Sequence, residues 1–408
     1  MSVQQIKSYL AGLDFPGDLA QLPPSAYLVG GSVRDALLQR CKQPFDLDFV
    51  LPQNTIETAK QIANQYNAGF VVLDRKREIA RVVLTGGTLD FARLEGASLE
   101  QDLQRRDFTI NAIAYSISSQ QLIDPLGGLA DLEQKRLRMV SVANLEDDPL
   151  RLLRAYRQAA QLDFTIEENT HKAIGDRSTL LSTVAAERVQ AELNYIFTAR
   201  RGNKWSIAAT NNGLLGFWLP SITPEKIEQL NQLEDAIALC SDLGLDTSEL
   251  CIPTKLATLV STQTTAAEAE LTKLKYSRAQ IKAVVDTLKH LPHLQTTTTM
   301  SLRSQYFWFL SVKAIFPILM VRAIATGVSL ELLRPLIERY LDPTDPVAHP
   351  QPLLTGNDLI RELNLKPSVL IGKLLTEIQI ARVESKISTP QEALHFATFV
   401  LQTWSRNE

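Results

Sequence analysis

The first informative pattern is a short apolar run, residues 27–29, that stops at two consecutive glycines. Gly30 and Gly31 mark a position where the backbone turns or approaches a ligand closely. Apolar residues then recur at helical spacing, and Ser32 is a good N-cap for that helix. The pattern predicts a strand, a glycine turn and a helix whose first N–H groups are free to bind phosphate.

A second apolar run, residues 45–50, carries two aspartates. Asp46 and Asp48 are two positions apart, so on a strand they point to one face while Leu47 points to the other. Two adjacent carboxylates repel each other unless a cation joins them. Mg²⁺ prefers one or two carboxylates together with substrate phosphates, and a pair of such ions supports phosphoryl transfer. We therefore interpret Asp46 and Asp48 as a magnesium site rather than as an exposed acidic turn.

The rest of the N-terminal third alternates strand and helix patterns. We expect strands at 70–73, 79–84 and 88–91, with a glycine turn between the last two. The apolar segment 111–117, NAIAYSI, is interpreted as a helix. From about residue 215 onward the pattern is helical, with few strand signals. The chain is therefore expected to hold an α/β domain followed by helical domains.

Composition narrows the class of protein. A chain of 408 residues should contain more than one domain. Its net charge of −3 excludes a broadly basic surface, so any RNA site must be a local one. Cys41, Cys240 and Cys251 show no zinc-ligand spacing, and no secretion signal opens the chain, which favours a cytoplasmic protein. The apolar stretch 306–325 contains charged residues and a proline, so it is interpreted as buried helices rather than a membrane span.

Two further segments combine arginines with acids. In RRDFTINA, residues 105–112, adjacent arginines form a clamp for phosphates, because the planar guanidinium matches phosphate oxygens. In EDDPLRLLRAYR, residues 146–157, a proline after acidic residues marks a helix start. Asp148 and Arg151 are three positions apart, hence on one helical face. Together they can act as a surrogate base, with the carboxylate accepting from an exocyclic amine and the guanidinium donating to a ring nitrogen or carbonyl.

GGSVRD followed by DLD resembles the signature of the DNA polymerase β-like nucleotidyltransferases, and in particular of class II tRNA nucleotidyltransferases and bacterial poly(A) polymerases. RRDFTINA and EDDPLR match further motifs of that family in the same order, and the segment after residue 352 is similar to its tail. The resemblance implies an α/β head, a polymerase β-like mixed sheet with helices, followed by an all-α neck, body and tail. The expected domains are 1–140, 141–215, 216–345 and 346–408.

The resemblance also implies roles for single residues. Asp90 would be a third catalytic carboxylate beside Asp46 and Asp48, and Lys366 and Lys373 in the tail would contact tRNA. The EDDPLR segment would choose the incoming nucleotide without a template, and the arginines that follow it on the helix would reach the triphosphate. The predicted nucleotide-binding residues are Gly30, Gly31, Ser32, Arg34, Arg106, Asp107, Asn111, Asp148, Arg151, Arg154 and Arg157.

One stretch addresses the choice of nucleotide. Family members that add a complete CCA end carry a longer flexible loop after the strand of Asp90, whereas residues 91–104 here are few and acidic. We therefore expect a CC-adding enzyme that uses CTP and Mg²⁺ and leaves the terminal A to a separate A-adding enzyme. Complete CCA addition, A-only addition and poly(A) synthesis, all of which use ATP, are the alternatives.

The sequence argues against two other classes of function. A catalytically inactive RNA-binding protein would be expected to have lost Asp46 or Asp48, and both are present. Transfer to a small-molecule alcohol, as in antibiotic-modifying members of the superfamily, is disfavoured by the RRDFTINA and EDDPLR segments and by the long helical C-terminal half.

Overall fold

A computed structural model describes residues 1–15, 17, 19, 22–40, 43–297 and 299–405. The chain divides into two compact units, Met1–Phe217 and Trp218–Glu408. Cys41 lies outside the described residues, and the described Cys240 and Cys251 form no disulfide.

The first unit contains the strands and the helices that surround them. Its strands are β1 (Tyr27–Val29), β2 (Phe45–Leu51), β3 (Gly69–Asp74), β4 (Ile79–Leu84), β5 (Gly87–Arg93), β6 (Ala114–Ser116), β7 (Gln121–Ile123), β8 (Arg136–Leu137) and β9 (Thr165–Ile166). Its helices are α1 (Val3–Ala11), α2 (Gly31–Leu37), α3 (Thr55–Gln65), α4 (Leu99–Gln104), α5 (Gly128–Glu133), α6 (Val142–Asp147), α7 (Leu150–Leu162), α8 (Glu168–Asp176), α9 (Ala186–Thr198) and α10 (Gly202–Asn211).

Seven strands of the described chain form one mixed sheet in the order β3-β4-β5-β2-β1-β6-β7. β2 and β5 run parallel, and the other neighbouring strands pair antiparallel. The register sets Asp48 opposite Asp90, and Asp90 opposite Arg81 on β4. Directly paired residues point to the same side, so these three side chains share one face of the sheet. The prediction of an α/β head with a mixed sheet is confirmed.

The alternation along β2 explains its place at the centre of the sheet. Phe45, Leu47 and Phe49 are buried on one face, and the Phe49 ring stacks on Phe91 with 5.3 Å between the ring centroids. Helix α3 packs on β3, β4 and β5. The opposite face carries the aspartates, so the apolar residues anchor the strand while the acids stay outside the core.

A helix covers only part of the sheet face that carries the aspartates. Leu99 and Leu103 of α4 pack there against Val29, Val50 and Ala112. The strands farther along, β3 and β4, expose apolar side chains instead. The segment between Asp90 and the RRD motif is therefore mostly strand end and docked helix rather than a long loop.

The prediction of a helix over residues 111–117 is wrong. A single 3-10 turn covers Thr109–Asn111, and β6 follows it and pairs antiparallel with β1. A short apolar run fits a buried strand as well as a buried helix, and pairing with a neighbouring strand decided the outcome.

Helices α7, α9 and α10 pack on one another in the second half of the first unit. Their contacts are apolar, with Leu153, Tyr156, Leu193 and Phe197 buried. This packing fixes the start of α7, where the EDDPLR segment lies.

The second unit is helical throughout its described residues, as predicted. Its helices are α11 (Pro224–Asp242), α12 (Cys251–Leu259), α13 (Thr264–Lys273), α14 (Arg278–His290), α15 (Leu294–Thr297), α16 (Leu302–Val312), α17 (Phe316–Ala325), α18 (Leu330–Leu341), α19 (Gly356–Glu362), α20 (Val369–Val383) and α21 (Pro390–Ser405). Helix α11 packs on α12 and α17, and α20 packs on α19 and α21. Within the described residues no single helix is long and apolar enough to cross a membrane. Helices α16 and α17, which are bent by 101° relative to each other, reach that length and apolar composition only when they are taken together.

Candidate active site

Two carboxylates project from one face of β2. Asp46 is exposed and Asp48 is half-buried, whereas Leu47 between them is fully buried. The Asp46 Oδ1 atom accepts a 2.5 Å hydrogen bond from Thr88 Oγ1 on β5. Asp90 lies on the same strand as Thr88, directly opposite Asp48. The structure thus brings the three predicted carboxylates together, and their catalytic roles stay predictions.

Asp90 is held by an arginine on the neighbouring strand. Arg81 Nε donates to Asp90 Oδ1 and Arg81 Nη2 donates to Oδ2, both at 2.7 Å. The hydrogen bond to Asp90 raises the pKa of the Arg81 guanidinium. This bidentate pair engages both oxygens of the third carboxylate. Sequence reasoning missed Arg81, although the glycine turn between β4 and β5 sets a hairpin register that could have placed it opposite Asp90.

The charge on Asp48 is poorly compensated. The pKa of Asp48 is raised from 3.8 to about 6, mainly by burial and then by the negative charges of Asp46 and Asp90, while Arg106 and Arg81 act in the opposite direction. A carboxylate in such surroundings is stabilised by any cation that joins it.

Gly30 lies between the carboxylates and the arginine clamp. It is the N-cap of α2 with φ of 75°, a conformation that favours glycine. A Cβ atom at this position would lie 3.1 Å from Arg106 Nη1 and 3.4 Å from Asp48 Oδ2. The prediction that Ser32 caps this helix is therefore wrong, because the helix begins at Gly31 and a left-handed turn that suits glycine precedes it.

Ser32 and Arg34 are buried inside the head. Ser32 Oγ donates to the carbonyl of Val29 at 3.0 Å. Arg34 donates to Asp35 at 2.8 and 2.9 Å and to Asn111 Oδ1 at 2.8 Å. These bonds join α2 to β1 and to the 3-10 turn of the RRDFTINA segment, and direct contact of either side chain with a nucleotide stays a prediction.

Asp107 is the centre of a buried polar network. It accepts hydrogen bonds from Asn111 Nδ2 at 2.8 Å, from Arg154 Nη2 at 2.9 Å and from Gln158 Nε2 at 3.3 Å. Burial alone would raise the pKa of Asp107, but the charge of Arg154 and the hydrogen bonds from Asn111 and the Phe108 N–H outweigh it and lower that pKa. The network ties the RRDFTINA segment to α7. Gln158 also belongs to the network, since it donates to Asp107 and accepts from Asn111.

The prediction that Asp148 and Arg151 share one face of a helix is wrong. Asp148 lies outside α7 in an extended conformation, φ −136° and ψ 90°, because Pro149 disfavours helical geometry in the residue before it. Arg188 Nη2 on α9 donates to Asp148 Oδ2 at 3.1 Å. Arg151 Nη1 donates to the carbonyls of Arg105 and Asn144, each at 2.9 Å. Both predicted base-reading side chains are therefore positioned by other residues, not by each other.

A polar cleft of about 510 Å³ contains these groups. Val50 and Ala92 lie two residues beyond Asp48 and Asp90 on the same faces of β2 and β5, so the cleft adjoins the carboxylates. Its lining residues are Val50, Arg77, Ala92, Arg93, Glu95, Asp102, Arg105, Arg106, Asp147, Asp148, Arg151 and Arg188. The lining thus combines carboxylates with guanidiniums, and this combination suits a ligand with a polar base and a charged phosphate chain.

Arg154 and Arg157 are engaged in ion pairs. Arg154 binds Asp107, whose charge raises the pKa of Arg154. Arg157 Nε donates to Glu192 Oε2 at 2.5 Å and Nη1 to Gln161 Oε1 at 2.8 Å, and burial lowers the pKa of Arg157. Contact of these two arginines with a triphosphate stays a prediction.

The acidic residues on β2 fit a hard divalent cation. Among the described residues no group of three or more His, Cys, Asp and Glu is arranged to hold a metal ion. Arg81 donates to both oxygens of Asp90. Asp46 and Asp48 remain as neighbouring oxygen donors for a cation on one face of β2. Their mutual repulsion and the burial of Asp48 would be relieved by a cation between them.

Other residues of the cleft were missed at the level of sequence. Arg188, on α9, binds Asp148 and lines the cleft. Asp102 binds Arg106 across one turn, at 3.1 Å. The spacing of four residues between Asp102 and Arg106 could have indicated that pair. In the tail, Lys366 and Lys373 are exposed, so they are free to meet solvent or phosphate, and their role stays a prediction.

Family models match most of the chain. The model described as poly A polymerase head domain matches residues 26–138. The model described as "Probable RNA and SrmB- binding site of polymerase A" matches residues 163–226. A third, tRNA nucleotidyltransferase domain 2, matches residues 245–397.

Whole-chain relatives carry related names. A protein of Synechocystis sp. named CC-adding tRNA nucleotidyltransferase is 47% identical over an alignment 406 residues long, which covers 96% of this chain and 97% of that protein. A protein of Deinococcus radiodurans named A-adding tRNA nucleotidyltransferase is 30% identical over 95% of this chain and 97% of its own length. The structure of the Thermotoga maritima CCA-adding enzyme complexed with tRNA has a TM-score of 0.75 at 23% identity, with 97% of this chain and 98% of that chain covered.

Proposed function

The chain belongs to the class II tRNA nucleotidyltransferase and poly(A) polymerase family, and we propose that it adds the CC of the CCA end to tRNA from CTP, with release of pyrophosphate. The observation that carries the proposal is the continuity between two features of the head. The face of β2 that bears Asp46 and Asp48 leads directly into the cleft that contains Asp148 and Arg151.

Asp46 and Asp48 would hold Mg²⁺, the hard cation that suits two carboxylates and substrate phosphates. When bound, this cation favours the ionised form of the attacking hydroxyl and neutralises charge on the leaving phosphates. Arg106, between Gly30 and Asp102, supplies a fixed positive charge at the boundary between the carboxylates and the cleft. It would hold the triphosphate on the same side as the acids.

Asp148 and Arg151 would read the base. The Asp148 carboxylate can accept from the exocyclic amine of cytosine, and the Arg151 guanidinium can donate to the ring nitrogen and carbonyl. Uracil has a carbonyl where cytosine has the amine, so it would face the Asp148 carboxylate with no proton to donate. Two main-chain carbonyls fix Arg151, and Arg188 fixes Asp148, so both readers are in place before the nucleotide arrives.

The restriction to CC is supported by the segment after β5. Residues 94–98 are the irregular part, and α4 that follows is anchored by Leu99 and Leu103 against the sheet. A segment so short, held at its end by a packed helix, gives little freedom to remodel the base pocket for ATP. The name of the Synechocystis relative supports the same specificity, whereas the name of the Deinococcus relative keeps A addition as the second candidate. A cytoplasmic location and a separate A-adding enzyme are part of this proposal.

The test is the sequence of the 3′ ends that the purified protein makes. Transfer RNA lacking CCA is incubated with Mg²⁺ and CTP, ATP or both, and the ends are sequenced. We expect ends at the second C in every reaction that contains CTP, and unchanged ends with ATP alone. Ends that carry the terminal A with both nucleotides would contradict CC-only addition, and long A runs would indicate polyadenylation.

A further inference from the structure

Arg81 forms a bidentate ion pair with the third carboxylate of the site. Its two donors engage both oxygens of Asp90 at 2.7 Å, and strand register fixes both residues in one row with Asp48. A bidentate guanidinium takes one of the two lone-pair directions of each oxygen, so a cation cannot chelate Asp90 through both oxygens while the pair is closed. Among the described residues no group of three or more His, Cys, Asp and Glu is arranged to hold a metal ion, here or elsewhere.

We propose that Arg81 is a positioning residue that controls whether Asp90 can bind a divalent cation. While the pair is closed, Asp46 and Asp48 are the available carboxylates, and Asp90 joins them only when the guanidinium is displaced. The inference deepens the proposed function, because it rests on Asp46 and Asp48 as the cation site.

The surroundings of Arg81 allow such a displacement. Its side chain is 38% exposed, and its neighbours along the same face of β3 and β4, Val71 and Val83, are also exposed. The guanidinium can therefore leave Asp90 for solvent or for a phosphate group without disturbing the core. Asp90 itself is 18% exposed and held by backbone pairing on both sides, so its carboxylate stays beside Asp48 after the arginine leaves.

The test measures Mn²⁺ binding to the full chain without nucleotide, by titration calorimetry and by the electron paramagnetic resonance signal of free Mn²⁺. Arg81→Gln is compared with the unmodified protein, and Arg81→Gln with Asp90→Asn is compared with Asp90→Asn alone. We expect Arg81→Gln to tighten Mn²⁺ binding about tenfold or more when Asp90 is present, since it adds a ligand. With Asn at position 90 the same change should have an effect of about threefold or less, through charge alone.

Equal tightening in both backgrounds would overturn the proposal, because Arg81 would then act only as a repelling charge. Arg81→Lys is the second variant, and it keeps the charge but cannot grip both oxygens. It should tighten binding by an intermediate factor, and binding equal to that of the unmodified protein would also count against the proposal. A separate outcome concerns the site itself: Mn²⁺ binding that survives Asp46→Asn would contradict the proposed cation site rather than the role of Arg81.

Discussion

Asp48, which is half-buried, and Asp107, which is buried, are both acids whose pKa burial tends to raise, yet their pKa values move in opposite directions. The pKa of Asp48 is raised to about 6 by burial and by the charge of Asp46. The pKa of Asp107 is lowered although burial opposes it, because Arg154, Asn111 and a main-chain N–H bind the carboxylate. One acid is left with unfavourable charge, and the other is fully satisfied within the protein.

The difference distinguishes a carboxylate that is suited to bind a ligand from one that supports the fold. A satisfied carboxylate such as Asp107 stabilises the fold and fixes α7 relative to the RRDFTINA segment. An under-compensated one such as Asp48 destabilises the fold unless a ligand arrives, as is common in functional sites. The predictions below test this contrast.

Replacing Asp48 by Asn should have the largest effect. We expect turnover of CTP to fall about a thousandfold, of the order lost when a charge-stabilising group is removed.

Because the pKa of Asp48 is raised in the folded state, stability falls as pH rises between 3.8 and about 6, and the penalty persists above that range. Without divalent cations Asp48→Asn should therefore be more stable at pH 7 by on the order of 2 kcal/mol, and equally stable at pH 3.5. Urea unfolding at both pH values checks this, and a variant that is less stable at pH 7 would contradict it.

Replacing Asp107 by Ala should do the reverse to stability. Removing one partner of a buried pair leaves Arg154 and Asn111 without their acceptor and should cost about 3 kcal/mol at pH 7. Since the folded pKa of Asp107 lies below its ordinary value, its contribution is present above pH 3.8 and is lost as pH falls below it. Asp163→Asn is the matched control, because Asp163 and Arg201 form an exposed pair and asparagine tolerates the positive φ of 58° at this position, so the loss of the pair should cost about 0.5 kcal/mol or less. Equal losses in urea unfolding would remove the distinction between the two acids.

Replacing Asp148 by Ala should change selectivity more than stability. The preference for CTP over UTP, measured as the ratio of kcat/KM values, is expected to fall about a hundredfold, because the acceptor for the cytosine amine is gone. Arg188→Gln should lower the same ratio by a smaller factor, since it only positions Asp148. A ratio that is unchanged in Asp148→Ala would place base recognition elsewhere.

The smallest effects are expected in the tail. Lys366→Ala and Lys373→Ala should each weaken tRNA binding and reduce the slope of log affinity against log salt by about 1, as for a lost phosphate contact. Lys386→Ala serves as the control, because Lys386 is paired with Glu384 at 2.5 Å in the same part of the chain. Slopes unchanged in the first two variants would mean that tRNA does not touch these lysines.

Sequence patterns predicted the central strand, but they did not predict which residues contact the side chains of the site. Alternation alone placed Asp46 and Asp48 outside the core, because β2 is apolar at every other position. It could not decide between helix and strand for residues 111–117, where pairing with β1 prevailed. Nor could it show that Arg188 reaches Asp148 or that Arg34 turns inward to Asn111, since those contacts join residues 40 and 77 positions apart.

The most direct measurement is a crystal structure with CTP and Mn²⁺, with the metal located by its anomalous scattering. We predict a metal peak between the carboxylates of Asp46 and Asp48, and a cytosine whose amine meets Asp148 while its ring faces Arg151. A nucleotide bound outside the cleft, or a metal that contacts neither aspartate, would contradict the proposed site.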